Sequence, residues 1–274
     1  TGINFKRIDL GVPNHQKVIE CSINNITNSQ LCSSLENMYG HKVSMTEHLL
    51  SAFHGLNIDN ALIDLNTDEL PILDGSSKQI VETIESVGVK ELHASKKSIK
   101  ILKPFMVGDE NSFIKVSPNE QLSIDYTIVY DHSLIKKQNF VLDELNEVKY
   151  KEMISPSRTF GFEDEVEFLR AQGLIKGGSV DNAIVLSKDG ILNDEDLRFE
   201  NEFVRHKVLD IIGDIYLSGM SIVGSIEAYC AGHRRTQEML KFLMNDSSLS
   251  IIQDSISSES QNLIYDSKEV INYI

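Results

Sequence analysis

"VRHKVLDIIGD", residues 204–214, is the stretch on which the fold turns. Its apolar residues are those of a helix, yet it carries His206, Lys207, Asp210 and Asp214. At about 100° per residue, His206, Asp210, Gly213 and Asp214 share one stripe. Val204, Val208, Ile211, Ile212 and Ile215 lie on the opposite side. The plain interpretation is a solvated face laced by i,i+4 pairs. Two features argue against it. Gly213 sits in the middle of the stripe, where glycine costs a helix ~1 kcal/mol and allows a close approach. A histidine and an aspartate four apart can also point at one metal ion.

Working outward, a second helix precedes it in "SMTEHLLSAFHGLNIDNALIDL", residues 44–65. Ser44 reads as its N-cap, and Glu47 completes an S-x-x-E capping box. Met45, His48, Leu49, Ala52, Phe53 and Leu56 fall on one face, and residues 60–65 alternate as a strand. His48 and Gly55 are seven apart, as are His206 and Gly213, and each helix feeds a strand. Two similar helix–strand units, one per half, would face each other and each offer a histidine. A lone histidine on an apolar face is more often a satisfied core residue; a second histidine helix shifts that balance. Two histidines and one aspartate make a three-ligand set with room for water. Glu47 adjoins His48, where a glutamate can serve as general base, although no H-E-x-x-H is present. Its capping role is the competing interpretation, and spacing alone does not separate the two. His233 stands in "AGHRR" just before a helix, which disfavours its charge, while a carboxylate such as Asp214 favours it.

At 274 residues the chain holds one large or two ordinary domains, and a boundary is expected near residue 95, giving 1–95 and 96–274. In "ELPILDGSS" (69–77), Asp74 can cap the helix expected over 78–88. Residues 155–186 combine Thr159, a Phe-Gly-Phe step, a short helix over 162–173 and a Gly-Gly turn. This is either an ordinary β-α-β excursion or a wall lined by Phe162, Val166, Leu169, Ile175 and Ala183. "GLIKGGS" lacks the spacing of a phosphate loop. The second-half helices are expected at about 201–219 and 234–244, with the strand "SIVGSIEAYCAG" between them and a loosely held tail after Asn245.

A net charge of -15 argues against nucleic acid as a partner. The three cysteines, Cys21, Cys32 and Cys230, have no CxxC spacing and suit a reducing compartment. No apolar run approaches the ~20 residues of a membrane span. The chain starts at Thr1 without an initiator methionine, so the lack of a targeting segment carries little weight.

"TEHLLSAFHGLNIDNALIDL", "ELPILDGSS", "SRTFGF", "GLIKGGSVDNAIVL", "LRFENEFVRHKVLDIIGD" and "AGH" occur here in one order. Together they resemble the bacterial UDP-3-O-acyl-N-acetylglucosamine deacetylases, which act at the committed step of lipid A synthesis in Gram-negative bacteria. The resemblance implies an α+β fold of two similar domains, each a sheet layered on a helix pair, with the helix pairs facing each other. It implies a cytoplasmic, monomeric enzyme without stable membrane insertion that acts on a UDP-linked acylated amino sugar. It carries one zinc ion per chain, with ferrous iron as the alternative, onto His48, His206 and Asp210. Glu47 would be the general base, Thr159 an oxyanion stabiliser, His233 the charged or acidic partner of the leaving amine, and Asp214 the residue orienting His233. Lys207 and Phe160 would hold the nucleotide-sugar part. Phe162, Val166, Ile175, Gly178, Ser179 and Ala183 would belong to an acyl-chain insert over about 160–186. Glu165 stands where many relatives have Asp. Family members begin with a Gly-rich leading segment that precedes Thr1 here, so a missing first strand and site wall are expected. A form that binds the nucleotide-sugar lipid without turnover is the alternative that this motivates.

Overall fold

The computed structural model describes residues 1–27, 32–164, 179–188 and 190–255. The helix signalled by "VRHKVLDIIGD" spans Glu202–Tyr216 and is buried on both sides. The stripe of His206, Asp210, Gly213 and Asp214 is as inaccessible as Val208 and Ile212, so the solvated-face interpretation is excluded. A polar stripe can be buried only if protein supplies its partners. Here the partner is the helix Glu47–Gly55. At their crossing a Cβ on Gly213 would stand 2.0 Å from the carbonyl oxygen of Glu47. Further along, His54 stacks on Tyr216 with ring centroids 4.4 Å apart, and its Nδ1 bonds the Ile212 carbonyl at 3.0 Å. Gly55 is likewise a close-approach position, where a Cβ would meet the Tyr150 ring at 2.2 Å.

The fold is α+β. A three-stranded sheet places Ile3–Arg7 between antiparallel Val18–Glu20 and parallel Ala61–Leu65. Ile26–Thr27, Ser34–Glu36 and Lys42–Ser44 form a small meander beside it. The largest sheet runs in the order Lys137–Leu142, Ser123–Val129, Ser225–Tyr229, Ser112–Ser117, Phe105–Asp109. Its inner face follows from strand alternation: Ile124, Tyr126 and Ile128 are buried and the residues between them are not. Helices Glu202–Tyr216 and His233–Asn245 pack on this sheet. Lys96–Ile101 pairs with Ser221–Val223 and Ser250–Ser255. Among the described residues, every sheet draws its strands from one side of residue 95 only.

Several local expectations are corrected. Ser44 ends the strand Lys42–Ser44 and caps nothing; the N-cap of the following helix is Thr46, reached through Met45 at φ 61. Asp74 does not cap Lys78–Val87, whose N-cap is Ser77. It accepts instead from the backbone and hydroxyl of Ser76 and pairs with Arg198 at 2.9 Å. "SIVGSIEAYCAG" is two strands that divide at Gly224 and enter different sheets. The tail is not uniformly loose, because Ser250–Ser255 is a paired strand. The helix expected over 162–173 lies largely outside the described residues.

Gly213→Ala tests the helix crossing. Alanine favours a helix by ~1 kcal/mol over glycine, yet here its methyl meets a backbone oxygen that cannot swing aside. A net destabilisation of about 1–3 kcal/mol is expected from such overpacking. Urea unfolding that shows an unchanged or higher midpoint would contradict the crossing.

Candidate metal centre

The turn at Met45 delivers Glu47 and His48 in the first turn of their helix, facing the helix that carries His206 and Asp210. The potential ligand atoms of His48, His206 and Asp210 all lie within 4.8 Å of one another, and all three residues are buried. The two imidazole centroids are 5.1 Å apart, with the rings nearly perpendicular. Nδ1 of His206 faces the Ser157 carbonyl at 3.1 Å. A carbonyl only accepts, so in the neutral ring Nδ1 carries the proton and Nε2 holds a lone pair. That lone pair stands 3.2 Å from Asp210 Oδ1. Burial, with His206 adding to it, holds His48 down at about 3, so its imidazole is neutral. Its Nδ1 is buried with no partner, and its Nε2 lies 3.8 Å from Asp210 Oδ1, too far to hydrogen-bond. Lone pairs converging on one carboxylate oxygen are what a cation satisfies, and this donor set fits a divalent metal with N/O preference.

Lys207 Nζ lies 2.9 Å from Asp210 Oδ2 and 5.5 Å from the centroid of the Phe160 ring. Burial works against the charge on both partners. Asp210 outweighs it for Lys207, which is raised; His206 and then Lys207 outweigh it for Asp210, which is held well below the usual carboxylate range.

Two further groups meet beside His48, His206 and Asp210. Glu47 is raised to about 7, chiefly by burial, against the pull of His233. Its Oε2 accepts the Ser33 amide at 3.0 Å, and its Oε1 is 3.9 Å from His233 Nε2. A carboxyl titrating near neutrality is matched to proton transfer at that pH. His233 begins the helix His233–Asn245, and its Nδ1 bonds Asp214 Oδ2 at 2.8 Å. Burial opposes its charge, but Asp214 prevails and lifts it to about 10. The carboxylate therefore wins the contest with the helix terminus. The loop before His233 is tied by the Tyr126 hydroxyl, which donates to the Ala231 carbonyl.

Thr159 is fixed by its backbone, its amide donating to Gly75 and its carbonyl accepting from Ile184. It lies two residues beyond the carbonyl that orients His206. Phe160 and Phe162 belong to a strand paired with Ile184–Leu186, in an aromatic cluster with Tyr130 and Phe203. Ser179 and Ala183 precede that partner strand, Ser179 donating its amide to Asn182 and Ala183 accepting from Asn193. Val166, Leu169, Ile175 and Gly178 lie outside the described residues, as does Glu165. Three contributors carry no sequence signal: Ser33, the Ser157 carbonyl, and the buried pair Arg158–Glu202. Glu202 accepts from the Arg158 amide and Nε, both at 2.9 Å, and from the Arg198 amide at 2.6 Å. It thereby pins the loop that presents Ser157.

A family model described as UDP-3-O-acyl N-acetylglycosamine deacetylase matches residues 1–245. The UDP-3-O-acyl-N-acetylglucosamine deacetylase of Saccharophagus degradans is 41% identical over 274 residues, all of this chain and 86% of that protein. That of Nautilia profundicola is 43% identical over 252 residues, 92% of this chain and 84% of its own length. That of Legionella pneumophila strain Corby is 42% identical over 248 residues, 89% and 79% respectively. Among the described residues no helix is long and apolar enough to cross a membrane.

In metal-free protein, NMR titration of His233 should give an apparent pKa near 10, with the ring still charged at pH values where ordinary histidines are neutral. Because the folded value exceeds the ordinary 6.5, this group stabilises the fold fully below about 6.5, and the contribution is lost as pH rises through about 10. Adding a divalent cation should lower the value, since like charge disfavours the imidazolium. An unshifted His233 would refute the Asp214 assignment.

Proposed function

The chain belongs to the UDP-3-O-acyl N-acetylglycosamine deacetylase family, and from that premise we propose that it hydrolyses the acetamide of a UDP-linked, 3-O-acylated N-acetylglucosamine, releasing acetate and the free amine. One observation carries this assignment: two histidines and an aspartate converge, with a near-neutral carboxyl and a charged imidazole within 4.0 Å of them or of each other. In this assignment His48, His206 and Asp210 hold a single zinc ion, for which ferrous iron is the chemical alternative. When bound, such an ion supplies Lewis acidity and brings the pKa of water towards about 7.

The chain's own residues do the rest. Glu47 Oε1 takes the proton of the attacking water, for which a carboxyl near 7 is suited. The charged His233 faces the same point and offsets the negative charge that develops at the carbonyl, as a positioned cation does. The amine departs protonated, with Glu47 and His233 as the two groups placed to supply that proton. The Thr159 hydroxyl is assigned to the oxyanion. Lys207 and Phe160 are assigned to the nucleotide-sugar part. Phe162, Val166, Ile175, Gly178, Ser179 and Ala183 are assigned to the acyl chain. We also divide the chain into α+β halves at 1–95 and 96–274, which the one-sided membership of every described sheet supports.

Metal content measured beside acetate release from UDP-3-O-acyl-N-acetylglucosamine tests the assignment. The protein should hold one divalent ion per chain, and His206→Ala and Asp210→Ala should lose it. Glu47→Ala should keep the ion while turnover falls by about 10²–10⁴. Stoichiometric metal in both ligand variants would remove the ligand set, and full turnover in Glu47→Ala would remove the base.

A further inference from the structure

Ser33 lies fully buried just ahead of the strand Ser34–Glu36, and all three of its polar groups are engaged. Its amide donates to Glu47 Oε2 at 3.0 Å. Its hydroxyl donates to Asp214 Oδ1 at 2.5 Å. Its carbonyl accepts from both the amide and the hydroxyl of Thr46, at 3.3 and 3.2 Å. Thr46 is the residue before Glu47, so Ser33 is anchored to the start of the helix whose carboxylate it holds.

We propose that Ser33 is a positioning residue, which fixes the rotation of two carboxylates so that Glu47 Oε1 and His233 Nε2 face one point. This rests on the deacetylase assignment above. Each carboxylate has two oxygens that rotation would exchange. With Oε2 of Glu47 occupied by the Ser33 amide, Oε1 is left towards His233 Nε2, 3.9 Å away. With Oδ1 of Asp214 occupied by the Ser33 hydroxyl, Oδ2 is left to hold His233 Nδ1 at 2.8 Å. An imidazole tied at Nδ1 has its Nε2 aimed, and here it points between Glu47 Oε1 and Asp210 Oδ2, the latter at 4.0 Å. One small residue thus joins the base to the support of the cation. Its bond to Asp214 spans 181 positions of sequence. The hydroxyl also satisfies a carboxylate oxygen that water does not reach, since Asp214 is 1% exposed.

The test compares Ser33→Thr with Ser33→Val, which add nearly the same bulk and differ in the hydroxyl. Ser33→Ala removes the hydroxyl without adding bulk. Outer partners of this kind are worth about ten- to a hundredfold in activity. Acetate release from the UDP-acyl-N-acetylglucosamine should therefore fall by that factor in kcat for Val and Ala, and recover in Thr. KM and metal content should stay at the wild-type level in all three. A second readout needs no turnover: in metal-free protein the His233 Nδ1–H resonance should move in Val and Ala and be retained in Thr. Wild-type kcat and an unmoved resonance in Ala and Val would overturn the proposal. So would a loss shared equally by KM, metal content and kcat, which marks general damage. If the unaltered protein releases no acetate while the resonance responds as described, the deacetylase assignment falls and the positioning of His233 stands.

Discussion

The carbonyl oxygen of Glu47 occupies the space where a side chain at position 213 would be. That single contact sets the separation of the two central helices, and most of the molecule's chemistry depends on it. A helix pair held this close can bury polar groups from both members in one pocket that neither could bury alone. His48 and Glu47 come from one helix, His206, Asp210 and Asp214 from the other. The stacked His54–Tyr216 pair and the bond from His54 to Ile212 hold the same interface within about two turns of it. His54 is kept neutral there by burial, at about 3, so it acts as packing with one polar tether.

Bringing Glu47, Asp210 and Asp214 together would be costly without compensation, because buried carboxylates repel one another and lose hydration. The structure answers each one separately. Asp210 faces Lys207 and two histidines, Asp214 receives the Ser33 hydroxyl and His233, and Glu47 receives the Ser33 amide. The supply is unequal. Asp210 is held well below the usual carboxylate range and His233 is lifted to about 10, while Glu47 is left with the weakest support and drifts up to about 7. An uneven distribution of donors over three like groups is what sets them apart chemically, and it suits the separate roles of ligand, orienting anion and base proposed for them.

Helical spacing carried much of this in the sequence. The i,i+4 placement of His206, Asp210 and Asp214, the glycine in their midst and the matching His48–Gly55 interval are local patterns, and local patterns survive in one dimension. The stripe could not show whether it faced water or protein, since periodicity is the same in both cases. The capping box at Ser44 and Glu47 failed because Met45 adopts a left-handed backbone that ends a strand and restarts the chain as a helix two residues later. Gly224 similarly split what read as one strand, because the two halves serve sheets that pair with different partners. Ser33, Ser157 and Glu202 were invisible for a different reason. Each acts by a bond to a residue tens of positions away or more, through a backbone group or a common side chain that no spacing marks.

Those long-range bonds explain why the site is assembled by the whole fold and not by the two helices. The Ser157 carbonyl sets the tautomer of His206, and it is held in place by Arg158 and the fully buried Glu202. Glu202 opens the helix that carries His206, so the loop orienting that imidazole is tethered to its own helix one turn earlier. Ser33 plays the corresponding part on the other side, anchored through Thr46 to the start of the helix that carries Glu47. In both cases a segment outside the helix is fastened to the N-terminal end of a site helix and returns a hydrogen bond to the chemistry, to the next residue at Glu47 and one turn on at His206. The recurrence reflects a constraint of helices: their first amides and adjoining loops are the backbone groups not already committed to the helix itself. They are therefore the groups free to orient a neighbouring side chain.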